Sequence, residues 1–399
     1  MEINGRASGL DEKLGVSSEQ PSASSTPKEL STKAPSILDA CRLKNIDALR
    51  VLATSEGGLC SDDLRRQAWP VLLGCSEFEG DLKAEKGTES WRDLPEHKDE
   101  GQYSGVDQSQ KELNKRKDEL SDLITEILRR QPYLCYFQGY HDICQVFLLV
   151  LDQGSRSLAV ARLSALRIRD FMLPTLSPAL AQINLIPAIL GAVNPMLCKH
   201  LSQTQPFFAL SGTLTMYAHD IEEYSGISRL FDVLLAREAV FSVYMFAQIV
   251  LQRSEELFET PADEPEMLHS ILSKLPKPLD LETLIAKTVK LYEEYPPETL
   301  KPWRSISRYS VLKTTLSIDN ARSQTLEDGE TYFMKQVEEI KRAERKKELF
   351  ITLWKYRRPA GMVGVAVLVG VLSFWMRKHS GPSGLLGALW RQWSGYQGN

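Results

Sequence analysis

Residues 119–151 read "ELSDLITEILRRQPYLCYFQGYHDICQVFLLVL", two helix-forming segments on either side of a short irregular one. The first segment sets its apolar residues on one helical face, as a helix that packs against a core does. Pro132 ends this helix, because proline has no backbone N–H to donate. The second segment is the apolar run 143–151. The pattern predicts two packed helices with an irregular joint between them.

The joint contains the stretch "YFQGYHD" (136–142), in which Gln138 is followed by Gly139. This pair is a poor core element, because a buried amide must find hydrogen-bond partners and glycine adds no side chain to the packing. Gln138 therefore belongs either to a buried joint between helices or to a loop that directs it at a ligand or partner.

Helical patterning continues through most of the chain. "SILDACRLKNIDALRVLA" (36–53) opens with a Ser-x-x-Asp capping pattern and repeats apolar residues at helical spacing. Runs with strand alternation are scarce, which predicts an all-α domain, placed here at 50–317. Further helices are predicted at about 141–153, 158–173, 178–203, 206–220, 226–238, 240–259, 264–274, 279–294 and 303–316.

The segment "SDDLRRQAWPVLLG" (61–74) contains start and stop signals for a helix. Ser61 is the expected N-cap, and acidic residues follow in the first turn. Pro70 is expected to kink or end the first part of the helix, and Gly74 to stop it.

Composition excludes several classes of function. The chain has 399 residues with 48 basic and 52 acidic side chains, so no basic field favours nucleic-acid binding. Six cysteines occur without a C-x-x-C pair, which disfavours a metal or redox site. No P-loop, strand-linked G-x-G-x-x-G, H-E-x-x-H or G-x-S-x-G motif is present. His141, beside the Gln138 stretch, is interpreted as structural. If the chain is catalytic, its catalytic group is therefore expected to act on a substrate that a partner protein binds.

The two termini differ from the central domain. Residues 1–34 are rich in Ser, Pro, Lys and Glu and are predicted to be disordered. Residues 318–358 are predicted to form a charged linker helix. The next segment, 359–376, has no charged residue and a helical length of roughly 27 Å, near the thickness of a bilayer core. A membrane anchor is predicted there, with a buried soluble helix as the alternative, and 377–399 form a short tail.

This order of segments predicts a tail-anchored protein whose N-terminal body faces the cytosol. The N-terminus lacks the charged-then-apolar pattern of a secretory signal. Lys355, Arg357 and Arg358 lie on the cytosolic flank of the predicted anchor, in line with the positive-inside tendency.

At this point the motifs resemble a known family. "YFQG" (136–139) resembles the Y-x-Q-G glutamine-finger motif of the TBC domain of Rab GTPase-activating proteins. "LRRQAW" (64–69) matches the Arg-x-x-x-Trp element of such domains, with Arg65 and Trp69 as its structural residues. "LFDVLLARE" (230–238) resembles a later helix of the family. "GYHDI" and the predicted anchor are most similar to tail-anchored endoplasmic-reticulum members and their fungal relatives.

The resemblance covers about 50–300 and implies a multi-helix domain that acts on a Rab-family GTPase in early secretory traffic. GTP and magnesium would be held by that GTPase, so the chain needs no cofactor of its own. Gln138 would orient the attacking water, since its amide both donates and accepts. Gly139 would let the backbone approach the partner, while Tyr136, Tyr140 and Asp142 would support the loop. The implied location is the endoplasmic-reticulum membrane or an adjacent one.

One element of the family pattern is missing. The arginine finger is expected in an Ile/Leu-x-x-Asp-x-x-Arg sequence, but anchoring the pattern on Asp107 puts Gln110 where arginine belongs. Arg92 and Arg116 do not have the expected neighbours. We interpret this as a short missing segment between about residues 102 and 108, through alternative splicing or an imperfect gene model.

Three functions remain open at this point. The first is a GTPase activator that supplies a glutamine finger in trans. The second is a non-catalytic Rab-binding or membrane scaffold, which the missing arginine favours. The third is an unrelated helical, membrane-anchored adaptor, which leaves "YFQGY" unexplained.

Overall fold

The computed structural model describes residues 27–75 and 108–379, with side chains described for 33–75, 115–352, 354 and 365–378. Every regular element in these residues is helical, and no β-strand occurs among them. The predicted all-α fold is therefore confirmed for this part of the chain.

The α-helices of the described residues are numbered here in chain order. They are α1 (Pro27–Arg42), α2 (Ile46–Thr54), α3 (Asp62–Leu72), α4 (Gln108–Arg130), α5 (Tyr140–Val150), α6 (Gln153–Leu166), α7 (Ser177–Ile183), α8 (Leu185–Val193), α9 (Pro195–His200), α10 (Leu210–Leu214), α11 (Tyr224–Ala236), α12 (Phe241–Gln252), α13 (Ser254–Glu259), α14 (Pro265–Leu272), α15 (Leu281–Glu294), α16 (Val311–Thr314), α17 (Ile318–Ser323) and α18 (Leu326–His379). Short 3-10 helices lie at Arg169–Met172, Pro206–Ala209, Pro297–Thr299 and Lys301–Ser305.

An aromatic cluster at the centre of the core joins three of these helices. The ring of Trp69 on α3 lies 5.5 Å from that of Phe147 on α5 and 5.9 Å from that of Phe231 on α11. Phe147 and Phe231 are also 5.9 Å apart, and all three side chains are fully buried. Aromatic contacts at these distances have preferred geometries, so the cluster fixes how α5 packs on the other two helices.

The predicted helix at 178–203 is divided into α7, α8 and α9. Asn194 ends α8, and its side chain accepts a 3.0 Å hydrogen bond from the N–H of Leu197, which caps α9. Pro195 has no N–H to continue α8 but suits the first turn of α9. Periodicity misses such breaks because the apolar spacing runs across them. Similar breaks divide the predicted helices at 158–173, 206–220 and 240–259.

The predicted signals around α3 are largely confirmed. Ser61 occupies the N-cap position, although its side chain makes no capping hydrogen bond. Pro70 does not end the helix at once, since α3 continues to Leu72. Gly74 stops it with a left-handed φ of +73°, and a Cβ at this position would lie 2.9 Å from the carbonyl oxygen of Arg322.

A buried arginine joins this turn to the end of the domain. Arg162 on α6 is fully buried, and its Nε donates a 2.6 Å hydrogen bond to the carbonyl oxygen of Leu73. Its Nη2 donates to the carbonyl oxygens of Arg322 and Gln324 at 2.9 and 3.0 Å. The charge of Arg162 is thus stabilised by backbone groups that lie far apart in the sequence.

Two predicted boundaries at the end of the domain are corrected. The chain divides into compact units between Val337 and Glu338, not at residue 317. The predicted linker helix 318–358 is replaced by the separate helix α17 and by α18, which begins at Leu326. Because the region is rich in charged residues, its sequence predicts an exposed linker. Two of its apolar residues, Ile318 and Phe333, are nevertheless buried in the first unit.

The predicted disordered segment 1–34 is also too long. Residues 27–34 are helical in α1, and residues 1–26 lie outside the described residues. Lys33 Nζ donates a 2.8 Å hydrogen bond to the carbonyl oxygen of Glu56, and Ile37 is fully buried. Packing of α1 on the domain therefore stabilises a segment whose composition predicts disorder.

The predicted membrane anchor at 359–376 stays a prediction. Among the described residues, none of the helices meets the length and apolarity that a membrane span requires. The side chains of residues 355–364 lie outside the described part, as does most of the predicted tail, 380–399.

Candidate functional site

Gln138 lies in the loop between α4 and α5, and its side chain is exposed. Within the part of the chain that the structure describes, this side chain makes no hydrogen bond. Its amide donor and acceptor are therefore available to another molecule. Of the two alternatives left open by the sequence, this placement favours the loop that directs the glutamine outward.

Gly139 is the residue that turns the chain into α5. It occupies the N-cap position with φ +100°, a conformation that residues with a side chain rarely adopt. A Cβ here would also lie 2.6 Å from Cγ2 of Thr215. The structure thus gives Gly139 a role within the chain, in addition to the close approach to a partner that the family resemblance implies.

Aromatic side chains pack against the loop that carries Gln138. Tyr140 is fully buried, and its hydroxyl forms a 2.7 Å hydrogen bond with Oγ of Ser164 on α6. The rings of Phe137 and Tyr136 lie 5.6 and 6.2 Å from that of Tyr140. Burial raises the pKa of the Tyr140 phenol well above its ordinary value, so this group stays neutral. Tyr140 anchors the loop, while Tyr136 remains half-exposed beside Gln138.

Asp142 fastens the first turn of α5 to a second segment. Its Oδ2 accepts a 3.1 Å hydrogen bond from Nδ1 of His219, which follows α10. Nε2 of His141 lies 3.5 Å from Oδ1 of the same carboxylate. His141 Nδ1 is also hydrogen-bonded to the Tyr136 hydroxyl at 3.1 Å. The carboxylate therefore binds His219 on one side and His141 on the other, and His141 in turn binds Tyr136.

Arg65 and Trp69 meet a fully buried carboxylate, that of Asp232 on α11. Arg65 Nε donates to Oδ1 at 3.0 Å, and Trp69 Nε1 donates to the same oxygen at 2.9 Å. The backbone N–H of Leu59 donates to Oδ2 at 3.0 Å. Burial alone would lower the pKa of the Arg65 guanidinium, but the Asp232 carboxylate raises it above its ordinary value overall. Through these bonds the Arg-x-x-x-Trp element contacts α11 and not Gln138.

Comparison with known proteins identifies the family. The sequence profile described as "Rab-GTPase-TBC domain" matches residues 62–258. The "GTPase-activating protein gyp10" of Schizosaccharomyces pombe is 32% identical over 297 residues, which are 72% of this chain and 80% of that protein. This chain belongs to the RabGAP-TBC family.

Other similar proteins match this TBC chain over a smaller share of their length. "TBC1 domain family member 20" of Bos taurus is 34% identical over 273 residues, which are 64% of this chain and 65% of that protein. The chain therefore spans about two-thirds of the length of this mammalian relative. A solved structure, the Ypt/Rab-GAP domain of Gyp1p, aligns with 67% of this chain and 99% of its own at 15% identity and a TM-score of 0.49.

The structure does not settle where the arginine finger of the TBC pattern would lie. The interval between about 102 and 108, where we expect the missing segment, lies outside the described residues, as does Arg92. Arg116 lies on α4, is half-buried and has interactions of its own. The hypothesis of a missing segment therefore stays a prediction.

Sequence reasoning missed three residues that support this TBC site. Asp232 lies in the quoted helix "LFDVLLARE", but nothing local shows that its carboxylate binds Arg65 and Trp69. Thr215 and His219 belong to the stretch 205–220, which reads as core packing. Their contacts with Gly139 and Asp142 join residues about 75 positions apart, a separation at which only pairwise variation among homologues could have signalled them.

Proposed function

We propose that this chain accelerates GTP hydrolysis on a Rab-family GTPase by placing Gln138 in the partner's nucleotide site. The observation that carries the proposal is the exposed Gln138 side chain on a loop held by Gly139 and Tyr140, in a chain of the RabGAP-TBC family. The GTPase-activating proteins named among its relatives support the same reading.

The chemistry suits a glutamine that acts in trans. Small GTPases hold GTP and Mg²⁺ but hydrolyse slowly, and catalysis depends on orienting the attacking water and stabilising charge on the phosphates. An amide can accept a hydrogen bond from the water and donate one to a phosphate oxygen. Gln138 would perform this role, while the nucleotide and metal stay on the partner.

The missing arginine limits the expected rate. An arginine finger supplied in trans contributes about 10³–10⁵-fold. A thousandfold shortfall corresponds to about 4 kcal/mol of transition-state stabilisation. Because Gln110 occupies the position where the pattern requires arginine, we expect this chain to be a weak activator. The same observation favours the second candidate function, a Rab-binding or membrane scaffold.

We place this activity at the endoplasmic-reticulum membrane or an adjacent early secretory membrane, with 359–376 as the anchor and the N-terminal body in the cytosol. Two observations support the anchor. Residues 359–376 contain no charged side chain. From 365 to 376 every side chain of α18 is exposed, including Leu368, Phe374 and Trp375, an arrangement that water disfavours and a bilayer accepts.

The test measures GTP hydrolysis across a panel of GTP-loaded Rab proteins with the purified full-length chain and with Gln138→Ala. We expect the substitution to return hydrolysis to the intrinsic rate of the responding Rab while leaving its binding intact. Gln203→Ala, an exposed glutamine in another turn, is the matched control and should behave as the unchanged chain.

The outcomes separate the candidates. Loss of acceleration with Gln138→Ala alone supports the activator. Binding of a Rab by the unchanged chain without acceleration supports the scaffold. Failure to bind any GTP-loaded Rab contradicts both.

A further inference from the structure

The first turns of α18 pack beneath the loop that carries Gln138. Phe333 is buried, and its ring meets the ring of Tyr133 edge to face, with centroids 5.1 Å apart. Tyr133 lies in the same loop, five residues before Gln138. Because an edge-to-face pair has a preferred geometry, Phe333 restricts where the start of the loop can lie.

A second contact of α18 acts through a buried carboxylate. Gln336 is buried one turn after Phe333, and its Nε2 donates a 3.1 Å hydrogen bond to Oδ1 of Asp170. Asp170 is itself buried and also accepts from Gln182 Nε2 at 2.7 Å, from the Ser310 hydroxyl and from the N–H of Val311. Gln336 therefore supplies one of the donors that keep this carboxylate in place.

Asp170 is connected in turn to the loop. It belongs to the 3-10 helix Arg169–Met172, whose last carbonyl oxygen accepts a 2.9 Å hydrogen bond from the N–H of Cys135. In the same helix the ring of Phe171 lies 6.3 Å from that of Phe137. Contacts from α18 thus reach the loop along two routes, one ending at Tyr133 and the other at Cys135 and Phe137.

We propose that Phe333 and Gln336 are positioning residues for Gln138, so that the beginning of α18 is part of the machinery that presents the glutamine. The expected effect of these residues on the hydrolysis rate rests on the proposed function. Their expected effect on the loop rests on the two routes of contacts alone. Both side chains are buried, so they act on Gln138 through the loop.

A positioning role has a specific kinetic signature. A displacement of about 1 Å in a reacting group can lower the rate about a hundredfold. A displaced Gln138 stabilises the transition state less but leaves the binding of the Rab unchanged. Phe333→Ala and Gln336→Leu are therefore expected to lower kcat about tenfold or more, with KM for the Rab unchanged within about twofold.

The experiment combines hydrogen exchange with kinetics on the full-length chain. Amide exchange in residues 133–139 is measured by mass spectrometry, because the Cys135 N–H is hydrogen-bonded to Met172 and reports directly on the second route. Exchange there should rise about tenfold in Phe333→Ala and in Gln336→Leu. Met334→Ala, an exposed residue of the same turn, is the matched control and should change nothing. If Phe333→Ala does not fold, Phe333→Leu takes its place, and amide exchange in residues 133–139 should rise by less than in the alanine variant.

The split between kcat and KM tests whether the effect on rate runs through the glutamine. A rise in KM for the Rab with kcat unchanged overturns the positioning role. Unchanged exchange at 133–139 in folded Phe333→Ala or Phe333→Leu also overturns it, whatever the hydrolysis rate. Raised exchange in a chain whose unchanged form never accelerates hydrolysis supports the structural routes and refutes the proposed function.

Discussion

Replacing Gly139 by alanine would place a methyl group 2.6 Å from Cγ2 of Thr215 in a backbone held at φ +100°. The left-handed conformation alone costs about 1–3 kcal/mol for a residue with a side chain. We expect Gly139→Ala to lower the free energy of unfolding by at least that amount. Hydrolysis on a responding Rab should fall as well, because the strain is relieved by moving the neighbouring Gln138. Denaturant unfolding and single-turnover hydrolysis measure the two effects.

Gly154 supplies the control for this substitution. It lies in the first turn of α6, and a Cβ there would meet no atom within 4 Å. Gly154→Ala should be neutral or stabilise by up to about 1 kcal/mol. Adding Thr215→Ser to Gly139→Ala removes the clashing methyl group but not the backbone strain, so it should restore stability in part. Equal stability of the two alanine variants would contradict the steric argument.

Asp232 on α11 binds both α3 and the turn that precedes it. Its carboxylate is fully buried and accepts from Arg65, Trp69 and Leu59. Asp232→Asn leaves the buried Arg65 guanidinium with one charged partner, the Asp62 carboxylate 2.9 Å from its Nη1. Removing one member of a buried ion pair costs about 3–5 kcal/mol. Because Asp62 remains, we expect a loss of up to about 3 kcal/mol in denaturant unfolding followed by tryptophan fluorescence.

An exposed ion pair gives the comparison for Asp232. Glu222 lies 3.1 Å from Lys277, with the two side chains 72% and 76% exposed. Glu222→Gln should cost less than about 1 kcal/mol. A small loss for Asp232→Asn would show that the buried carboxylate is dispensable for the fold.

At the scale of elements, periodicity accounts for the helices that flank the site, but not for how they are joined. The apolar spacing of 119–131 and 143–151 and the signals at Pro132 and Gly139 were enough to place Gln138 between two helices. The breaks between α7, α8 and α9 were missed, because local caps decide them while the apolar pattern continues. The support of the loop by α18 was missed because it depends on contacts between residues 133 and 333, whose pairing no local pattern encodes.

The junction between α5 and the segment after α10 gives a prediction at this scale. Asp142 has a buried side chain, and its hydrogen bond with His219 connects the two elements. Asp142→Ala removes this acceptor, which water can replace at the 62% exposed His219 ring, and should destabilise the chain by about 0.5–1.5 kcal/mol. It should also raise amide exchange in the first turn of α5, because that turn loses its connection to the neighbouring segment.

Asp152 is the matched control for Asp142. Both residues lie at the beginning of a helix, Asp142 in the first turn of α5 and Asp152 at the N-cap of α6. The Asp152 side chain, however, is 81% exposed and makes no capping hydrogen bond. Asp152→Ala should change stability by less than about 1 kcal/mol and leave exchange in α5 unaltered. If both variants raise that exchange equally, the connection through His219 is not what orders the turn.

At the scale of the whole molecule, the position of the domain boundary can be tested by truncation. A chain that ends at residue 317, the boundary predicted from the sequence, lacks the Arg322 and Gln324 carbonyl groups that accept from Arg162. It also lacks the Arg322 guanidinium, which donates a 3.0 Å hydrogen bond to the carbonyl oxygen of Val71. Because burying the Arg162 guanidinium without these acceptors is unfavourable, we expect this chain to be unfolded and rapidly degraded in limited proteolysis.

A chain that ends at residue 337 retains these contacts together with Phe333 and Gln336. It should resist protease as the first unit of the full-length protein does. Equal resistance of the two truncated chains would contradict the assignment of 318–337 to the domain.

The proposed membrane anchor makes a separate prediction about the full-length protein. Alkaline carbonate extraction of membranes from expressing cells should leave the chain in the pellet, since eighteen uncharged residues at 359–376 are long enough to cross a bilayer core. A chain that ends at residue 350 should move to the supernatant. Release of the full-length chain into the supernatant would contradict the anchor, and retention of the shorter one would place the attachment elsewhere.

The carbonyl groups around Arg162 also bear on how the protein is made. Synthesis proceeds from the N-terminus, so α6 leaves the ribosome long before the residues that accept from its buried guanidinium. Until Arg322 and Gln324 have emerged, that charge has no complete set of acceptors, and closing the core around it is unfavourable. The domain therefore completes its fold late in translation, shortly before the apolar segment 359–376 emerges. With 359–376 as the proposed anchor, final folding and the delivery of that segment to a membrane would fall within the same short interval of biogenesis.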